Sequence, residues 1–264
     1  MLRSPVLLAA CSAVLLSAPA ISQDGPPDNF IAGGVAAIPE TAGGDSYRLI
    51  PFAAGRVSVG DVVLQVEGPG VSASLYNQGG VEAGAYVRYF GGRDDDNGDV
   101  IVDLLPEADN AIVTGGFVRV QVARGVLNQF DRVFIGGRLG MDVTGEYSGV
   151  YWAGSLAYAT PLSRSTLLIA NFSVSGSPDE YADALFSVTP AGSLASGLPV
   201  YNADSGIQDI GVTLLLDQRV TDNWSLTGIL GANRLQGDYA DSPIVTQRGD
   251  EMQYFVGLGL GRRF

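Results

Sequence analysis

Histidine and lysine are both missing from the sequence, so all 15 basic residues are Arg. Without an imidazole, the chain has no side chain that ordinarily titrates near neutral pH and no His ligand for a metal. A Ser-His-Asp triad and a Ser-Lys dyad are excluded for the same reason. We therefore expect no catalytic, metal-binding or cofactor-binding site, and we do not expect an enzyme.

Charged residues are also scarce, at 16% against about 25% in an average soluble domain. The net charge of −13 argues against a nucleic-acid partner, because phosphate binding needs clustered cations. Glycine is abundant instead, at 36 residues, together with 11 Tyr and 10 Phe. Many glycines and aromatic residues with few charges favour sheet over helix.

The N-terminus has the pattern of a secretory signal. Arg3 supplies a short positive region, residues 6–16 form an apolar region, and Ala18-Pro19-Ala20 is a small-x-small cleavage pattern. The apolar region is too short for a spanning helix. We expect residues 1–22 to be a signal peptide, which implies export.

Cysteine occurs once, at Cys11, inside the predicted signal. The preceding Leu8-Ala9-Ala10 resembles a lipoprotein box, but too few residues come before Leu8 for a charged and an apolar region. If cleavage follows Ala20, the mature chain has no cysteine. It then needs no disulfide, even in an oxidising periplasm.

Beyond the signal, no apolar run reaches the length of a membrane helix. Segments of alternating polarity follow instead, divided by Gly, Pro, Asn and Asp clusters, which is the pattern of a transmembrane β-barrel. A soluble β-sandwich or lipocalin-like barrel alternates as well, but the signal and the low charge favour the membrane. The candidate strands are residues 30–37, 47–54, 60–67, 71–76, 81–90, 112–124, 132–143, 149–160, 165–175, 206–220, 223–234 and 251–264.

These segments predict an all-β antiparallel membrane barrel of about 12 strands. Ten strands remain possible, because the first four are short and poorly patterned. Residues 23–29 form a polar periplasmic lead-in, and residues 30–264 form the barrel. Connections after the fifth strand alternate between short and long, as expected for short periplasmic turns and longer outer loops, although residues 144–148 break the trend.

Each strand pattern has an apolar face and a polar face. A charge on the lipid face costs about 2–4 kcal/mol at the membrane midplane, so the charged faces should point inward. Both signs occur there, and we expect internal Arg–carboxylate pairs, since buried charges need partners. The residues predicted to line the interior are Glu82, Tyr86, Arg88, Arg119, Arg138, Asp142, Thr213, Asp217, Arg219 and Arg263.

The last segment, residues 252–264, alternates most clearly. Its final residue, Phe264, resembles the terminal signal by which bacterial outer-membrane barrels are recognised for assembly. Arg262 departs from the pattern, because it falls on the apolar face. Trp152 and Trp224 lie near strand ends, where the aromatic girdles of membrane proteins sit.

The long connection at residues 176–205 is the candidate functional loop, since a loop of this length is often functional. Its aromatic and aliphatic residues predict packing, either inside the barrel as a constriction or outside as a binding surface. Leu194 and Leu198 contribute to that expectation. The residues singled out in it are Tyr181, Asp183, Phe186, Pro199 and Tyr201.

Two further motifs have plain explanations. The acidic run at residues 94–99 suggests calcium, but its spacing does not fit an EF-hand, so we interpret it as a solvated outer loop. The glycines within residues 136–140 and 228–231 sit in strand patterns and are not phosphate loops. We expect them to give bulky interior residues room.

Several segments of the second half resemble the MipA/OmpV family. Residues 181–203 are similar to its long loop, residues 221–228 to its next turn and strand, and residues 234–245 to its last outer loop. Residues 257–264 match its closing strand apart from Arg262.

The resemblance is closest over residues 180–264 and looser over 80–175, where Arg88-Tyr-Phe-Gly-Gly-Arg93-Asp94 matches weakly. The family is named for an MltA-interacting protein, MltA being a murein-degrading lytic transglycosylase. The resemblance implies a protein in the bacterial outer membrane that contacts its lipid and scaffolds murein hydrolases with a penicillin-binding protein. Other members resemble porins or adhesins, so a small-solute pore and an adhesin stay open as alternatives.

Overall fold

The structure is a computed structural model that describes residues 29–94 and 98–264. The predicted signal peptide and residues 23–28 of the lead-in lie outside the described residues, as do three residues of the acidic run, 95–97. Twelve strands fill most of the described chain. They are β1 Phe30–Pro39, β2 Tyr47–Val59, β3 Val62–Glu67, β4 Gly70–Gln78, β5 Val81–Phe90, β6 Ala111–Arg124, β7 Arg132–Asp142, β8 Tyr151–Pro161, β9 Thr166–Gly176, β10 Asp209–Arg219, β11 Trp224–Leu235 and β12 Met252–Arg263.

The strands form one closed antiparallel barrel. Each strand pairs with its neighbour in sequence, and β12 closes the ring on β1 with Phe30 opposite Arg263. The prediction of an all-β barrel with twelve strands is therefore confirmed. The first four strands are regular too, and β2 is 13 residues long. Their sequence pattern is weak because Arg56 and Glu67 stand among the apolar residues and point to the buried side.

The outer surface of the barrel is a continuous apolar face. In β12 the exposed side chains are Tyr254, Val256, Leu258 and Leu260, while Gln253 on the opposite face is buried. The other strands alternate in the same sense, and exposed Val, Leu and Ile side chains occur around the ring. An apolar belt around a closed barrel suits contact with lipid and not with water.

Arg262, the exception in the closing strand, lies on this outer face beside Trp224. The guanidinium carbon lies 5.8 Å from the centroid of the indole ring. Both residues stand where β12 ends and β11 begins, near the membrane boundary. A cation over an indole ring at the interface is favourable, so Arg262 does not have to enter the hydrocarbon region.

The two ends of the barrel differ. One end, here called the turn end, has the connections at residues 60–61, 79–80, 125–131, 162–165 and 220–223. The other, the loop end, has those at 40–46, 68–69, 91–110, 143–150, 177–208 and 236–251. The expected alternation of short and long connections is present. The connection at 143–150 is short but lies at the loop end, where the other connections after β5 are long. It is therefore the exception to the alternation of short and long connections.

All the helices of the described residues lie in the loop-end connections: a 3-10 helix at Val102–Leu104, α1 at Asp179–Phe186, α2 at Pro190–Ser196, α3 at Gly237–Asp241 and α4 at Pro243–Arg248. Within the described part of the chain, none of them has the length and apolarity needed to cross a bilayer. Short periplasmic turns and longer outer loops are the usual arrangement in outer-membrane barrels. The turn end therefore faces the periplasm and the helices face outward.

Glycines in the strands make room for large interior side chains, as the sequence suggested. A Cβ atom at Gly231 would collide with the ring of Phe255 on the neighbouring strand, and one at Gly140 would collide with the Tyr86 hydroxyl. Gly228, three residues before Gly231 on β11, is different. A Cβ there would meet Leu258 at 3.8 Å, an ordinary contact.

Replacing Gly231 by Ala should lower the free energy of unfolding by about 1–3 kcal/mol, because the buried Phe255 ring would have to move. Gly228→Ala is the matched control on the same strand and should change the free energy by less than about 0.5 kcal/mol. Urea titration followed by the heat-dependent gel shift measures both. Equal stability of the two variants would mean that the ring does not depend on the Gly231 space.

Candidate functional site: the capped barrel interior

The barrel interior contains a buried cluster of charges, here called the interior network: Arg56, Glu67, Glu82, Arg119 and Arg138. The first four are at most 9% exposed. They come from β2, β3, β5 and β6, with Arg138 from β7. Since β2 and β5 are not neighbours in the ring, their contact can only form across the interior.

Glu82 is the hub of the interior network. Its carboxylate accepts hydrogen bonds from Gln65 Nε2 at 2.7 Å, from the Ser74 hydroxyl and from Arg119 at 3.1 Å. The Arg56 guanidinium lies 3.8 Å away. Each of these partners is itself buried. A buried carboxylate with this many donors is held in one position.

Glu67 joins the other side of the network. Its two carboxylate oxygens lie 3.7 Å from the Arg119 guanidinium and 3.6 Å from that of Arg138. Arg138 also lies over the Tyr86 ring, 5.4 Å from its centroid. The network thus connects strands from β2 to β7 through ion pairs, and the predicted internal Arg–carboxylate pairing is present.

A second ion pair lies nearer the turn end. Arg263 binds the Asp217 carboxylate, which also accepts a hydrogen bond of 2.9 Å from the Thr227 hydroxyl. These residues come from β12, β10 and β11, three successive strands of the ring. The pair links the last strand to its neighbours where the barrel closes.

The other predicted interior residues occupy different places. Tyr86, Arg88 and Thr213 are buried, at 4–6% exposure. Asp142 caps the connection after β7, where its carboxylate accepts N–H bonds of 2.8–3.0 Å from Thr144, Glu146 and Tyr147. Arg219 is exposed at the turn end. That any of these residues lines a pore stays a prediction.

Four members of the site escaped the sequence analysis: Arg56, Gln65, Glu67 and Ser74. All lie on β2, β3 and β4, whose alternation is hard to see in the sequence. A usable signal was present, because Gln65 and Glu67 are two positions apart and follow Val63 on the same face of the strand.

The loop end is closed by a packed cap formed by connections 91–110, 177–208 and 236–251. Tyr181 and Phe186 of α1 are fully buried. Tyr181 packs edge-on against Tyr151 and Tyr147, with ring centroids 5.5 and 5.2 Å apart. The same core includes inward-facing barrel residues such as Val113. Of the two possibilities for the long loop, the structure shows a plug at the barrel mouth.

Arg93 anchors α1 from a different loop. Its guanidinium donates to the carbonyls of Leu185 at 2.9 Å and Ala184 at 3.1 Å, and also to Pro106 at 2.9 Å. Because α1 has no basic residue in its own last turn, Arg93 supplies the cation that suits a helix C-terminus. Burial lowers the pKa of Arg93 to about 10, so it stays charged at neutral pH.

Further hydrogen bonds tie the cap together. Ser242 donates to the Phe186 carbonyl at 2.6 Å, and Tyr201 donates to the Asp238 carbonyl at 3.0 Å. Of the other loop residues singled out by sequence, Asp183 and Pro199 are exposed. Leu198 is buried as expected, whereas Leu194 is 91% exposed, so the expectation that it packs in the loop is wrong. It lies on the open side of the short helix α2.

The acidic run contributes a clamp to the cap. Arg248 of α4 donates to Asp99 through Nε at 3.0 Å and NH2 at 2.6 Å. The Asp99 carboxylate also accepts N–H bonds from Ile101 and Val102 at the start of the 3-10 helix. Burial opposes its ionisation, but the hydrogen bonds from Arg248 and the backbone outweigh burial and hold the pKa of Asp99 below its usual value.

This clamp should weaken in acid. Because the pKa of Asp99 is lower folded than unfolded, its stabilising contribution is complete above about pH 4 and is lost as the pH falls through the lower folded value. Hydrogen exchange of residues 243–248 measures it. We expect protection greater in the wild type than in Asp99→Asn at pH 7, with the difference shrinking below about pH 4. If the difference in protection between the wild type and Asp99→Asn stayed constant from pH 7 to below about pH 4, the Asp99 charge would not be what holds the clamp.

Two interior cavities flank the network. One lies beside Glu67, Tyr86, Arg88 and Arg138, and the other beside Phe117 and the glycines of β7; each has a volume of about 20 Å³. A cavity of this size holds about one water molecule. Neither offers room to a sugar or an amino acid.

Comparison with known proteins gives a family. The sequence profile of the family described as MltA-interacting protein MipA matches residues 31–264. No curated protein matches the chain.

Several solved structures are similar. A NanC porin has 8% identity and a TM-score of 0.41, covering 89% of this chain and 100% of that one. OmpT of Vibrio cholerae has 8% identity and a TM-score of 0.39, covering 92% and 99%. The translocator domain of the autotransporter NalP from Neisseria meningitidis has 12% identity and a TM-score of 0.38, covering 92% and 91%. At TM-scores this low the likeness decides nothing about function.

Proposed function

Because the chain belongs to the MltA-interacting protein MipA family and forms a bacterial outer-membrane β-barrel, we propose that it is a scaffold and not an enzyme or a pore. In this role the barrel anchors a murein-degrading lytic transglycosylase and a murein-synthesising penicillin-binding protein at its periplasmic side. The barrel itself supplies attachment in the outer membrane and a rigid periplasmic face.

The observation that carries the proposal is the closed interior. At the loop end, the fully buried Tyr181, Phe186 and Tyr239 fill the mouth. Below them the ion pairs of Glu67 and Glu82 cross the interior between strands. A diffusion pore needs a continuous water-filled path, and such barrels keep one open along their axis. Here Glu67 and Glu82 pair with arginines of several strands across the interior, which suits a structural role.

The absence of His and Lys from the sequence agrees with a non-catalytic role. The buried carboxylates of Glu67 and Glu82 lie within 4 Å of the guanidinium groups of Arg56, Arg119 and Arg138. Carboxylates tied into such ion pairs suit a structural role better than proton transfer to a substrate.

The proposal is tested by gentle crosslinking in cells that carry the tagged full-length protein, followed by detergent extraction and mass spectrometry. We expect a lytic transglycosylase and a bifunctional penicillin-binding protein to co-purify. An unrelated outer-membrane barrel with the same tag, expressed at the same level, is the control. Repeated recovery of neither enzyme above that control would rule the scaffold out.

A further inference from the structure

The two ends of the barrel differ in the balance of their charges. The described loop-end connections are strongly acidic, with Asp94, Asp99, Asp103, Glu107, Asp109, Glu146, Asp179, Glu180, Asp183, Asp204, Asp238, Asp241, Asp250 and Glu251 among their residues. The turn end instead carries a series of arginines, here called the arginine arc: Arg124, Arg132, Arg164 and Arg219. A chain with a net charge of −13 thus presents cations at its periplasmic side.

The arc follows the rim of the barrel from β6 to β10. Arg124 ends β6 and Arg132 begins β7, and the two are directly opposite each other in the strand register. Arg164 lies in the turn after β8, and the backbone N–H of Arg219 donates to Ser165 of that turn at 2.7 Å. Like charges placed directly opposite on paired strands destabilise a sheet. Arg124 and Arg132 therefore repel each other. The Gln121 side-chain amide lies 3.1 Å from the Arg124 guanidinium but carries no charge, so an anion between the two arginines would reduce the repulsion.

Nearby carboxylates do not neutralise the arc. Asp131 is turned away, accepting N–H bonds of 2.7–3.0 Å from Val126, Leu127 and Asn128 and a hydrogen bond from the Tyr158 hydroxyl. Asp217 is bound to Arg263. Within residues 29–94 and 98–264, no ion pair is formed by any of the four arc arginines, and Asp222 in the turn after β10 does not pair with Arg219.

The arc borders the barrel mouth and not the lipid. In β7, Arg132 has the same parity as the interior residue Arg138, and in β10, Arg219 has the same parity as Asp217. Arg124, opposite Arg132, shares its side of the sheet. On the outer face near the turn end, by contrast, the exposed cation is Arg262, which lies over the Trp224 ring. The arc is thus placed for a partner that approaches from the periplasm along the barrel axis.

We propose that the arginine arc is the docking surface for an acidic segment of a periplasmic protein, whose carboxylates bind the four guanidinium groups. The guanidinium group forms paired hydrogen bonds with carboxylates, which suits such a segment better than a lysine would. This inference rests on the proposed scaffold function and names the chemistry of its partner's contact.

The test uses the refolded full-length mature barrel in nanodiscs and fluorescein-labelled decaglutamate as the probe, read by anisotropy. We expect saturable binding that weakens with salt. The arc variant, with Arg124, Arg132, Arg164 and Arg219 all replaced by Gln, should bind about tenfold more weakly or worse. Arg234→Gln, which removes an exposed arginine at the loop end, is the control and should bind like the wild type.

If the arc variant fails the heat-dependent gel shift, the two double variants Arg124→Gln/Arg132→Gln and Arg164→Gln/Arg219→Gln replace it, each with a partial loss expected. Equal binding of decaglutamate by the wild type and the folded variants overturns the inference. Two other results overturn it as well. One is that soluble murein fragments bind more strongly than decaglutamate. The other is that replacing the arc arginines weakens binding to phosphatidylglycerol vesicles but leaves decaglutamate binding unchanged.

The crosslinking experiment separates this inference from the proposed function. If the wild type captures the murein enzymes and the arc variant captures them equally, the scaffold stands and the arc is not its docking surface. If decaglutamate binds through the arc while the wild type captures no murein enzyme, the arc is an anionic docking surface and the scaffold proposal fails.

Discussion

Glu82→Ala should lower the free energy of unfolding by about 3–5 kcal/mol, since removing one member of a buried ion pair leaves the other charges without compensation. Arg119 would lose its closest partner, 3.1 Å away, and Arg56 its only carboxylate within 4 Å among the described residues. Gln65 and Ser74 would lose an acceptor as well. Urea titration with the gel shift gives the free energy.

Glu146→Ala is the control for Glu82→Ala. It removes the same side chain from an exposed position and should change the free energy by less than about 0.5 kcal/mol. Glu82→Gln keeps the shape and two polar atoms of the side chain but not its charge. Its free energy of unfolding should lie between those of Glu82→Ala and Glu146→Ala. If Glu82→Ala were as stable as Glu146→Ala, the interior network would not hold the barrel together.

Arg93→Ala should open the cap. The side chain is 5% exposed and donates to carbonyls of two loops, and a hydrogen bond from a charged group contributes about 1.5–3 kcal/mol. Without the Arg93 guanidinium, the buried carbonyls of Ala184 and Leu185 at the C-terminus of α1 lose their hydrogen-bond donor. We expect chymotrypsin to cleave after Tyr181 and Phe186, which are fully buried in the closed cap, at a rate at least about tenfold above wild type.

Arg93→Lys tests the geometry of the same anchor. A lysine has one point of charge and cannot reach carbonyls of both loops as a planar guanidinium does, so cleavage should stay well above the wild-type rate. Arg234→Ala, at an exposed ion pair of the same end, should leave cleavage unchanged. If chymotrypsin cleaved Arg93→Ala as slowly as the wild type, the aromatic core alone would be enough to keep the cap closed.

The barrel follows from the sequence because lipid imposes a strict alternation. One face of each strand must be apolar along the membrane thickness, and β12 shows this plainly from Tyr254 to Leu260. The ends of strands are equally predictable where Gly and Pro divide the segments. The first strands were harder, since Arg56, Glu67 and several small residues obscure the period, although they obey the same rule in the structure.

The partners inside the barrel could not be predicted, because a period of two gives the face of a residue and not its neighbour across the interior. Glu82 was assigned inward, but its contacts with Arg56 and Gln65 depend on the tilt and closure of the ring. The paired residue of Asp217 is Arg263, 46 positions away, and not Arg219, two positions away.

The helices of the long loop were missed, although local signals for one of them exist. Thr189 caps α2 by accepting the N–H bond of Gly192, Pro190 occupies its first position, and Gly197 ends it with a φ of 79°. These are the usual helix boundary residues. The segment seemed irregular because its helices are only 8 and 7 residues long, too short for a clear apolar period.

The most direct test of the closed barrel is the single-channel conductance of the refolded mature protein in a planar bilayer, with the gel shift as the folding control. We expect the folded wild type to be silent, and Arg93→Ala to be silent as well, because the ion pairs of Glu67 and Glu82 still cross the interior below the loosened cap. Reproducible steps from the folded wild type would contradict a closed barrel. The protein would then be a pore, and Arg138→Ala would be the first variant to test for a change in ion selectivity.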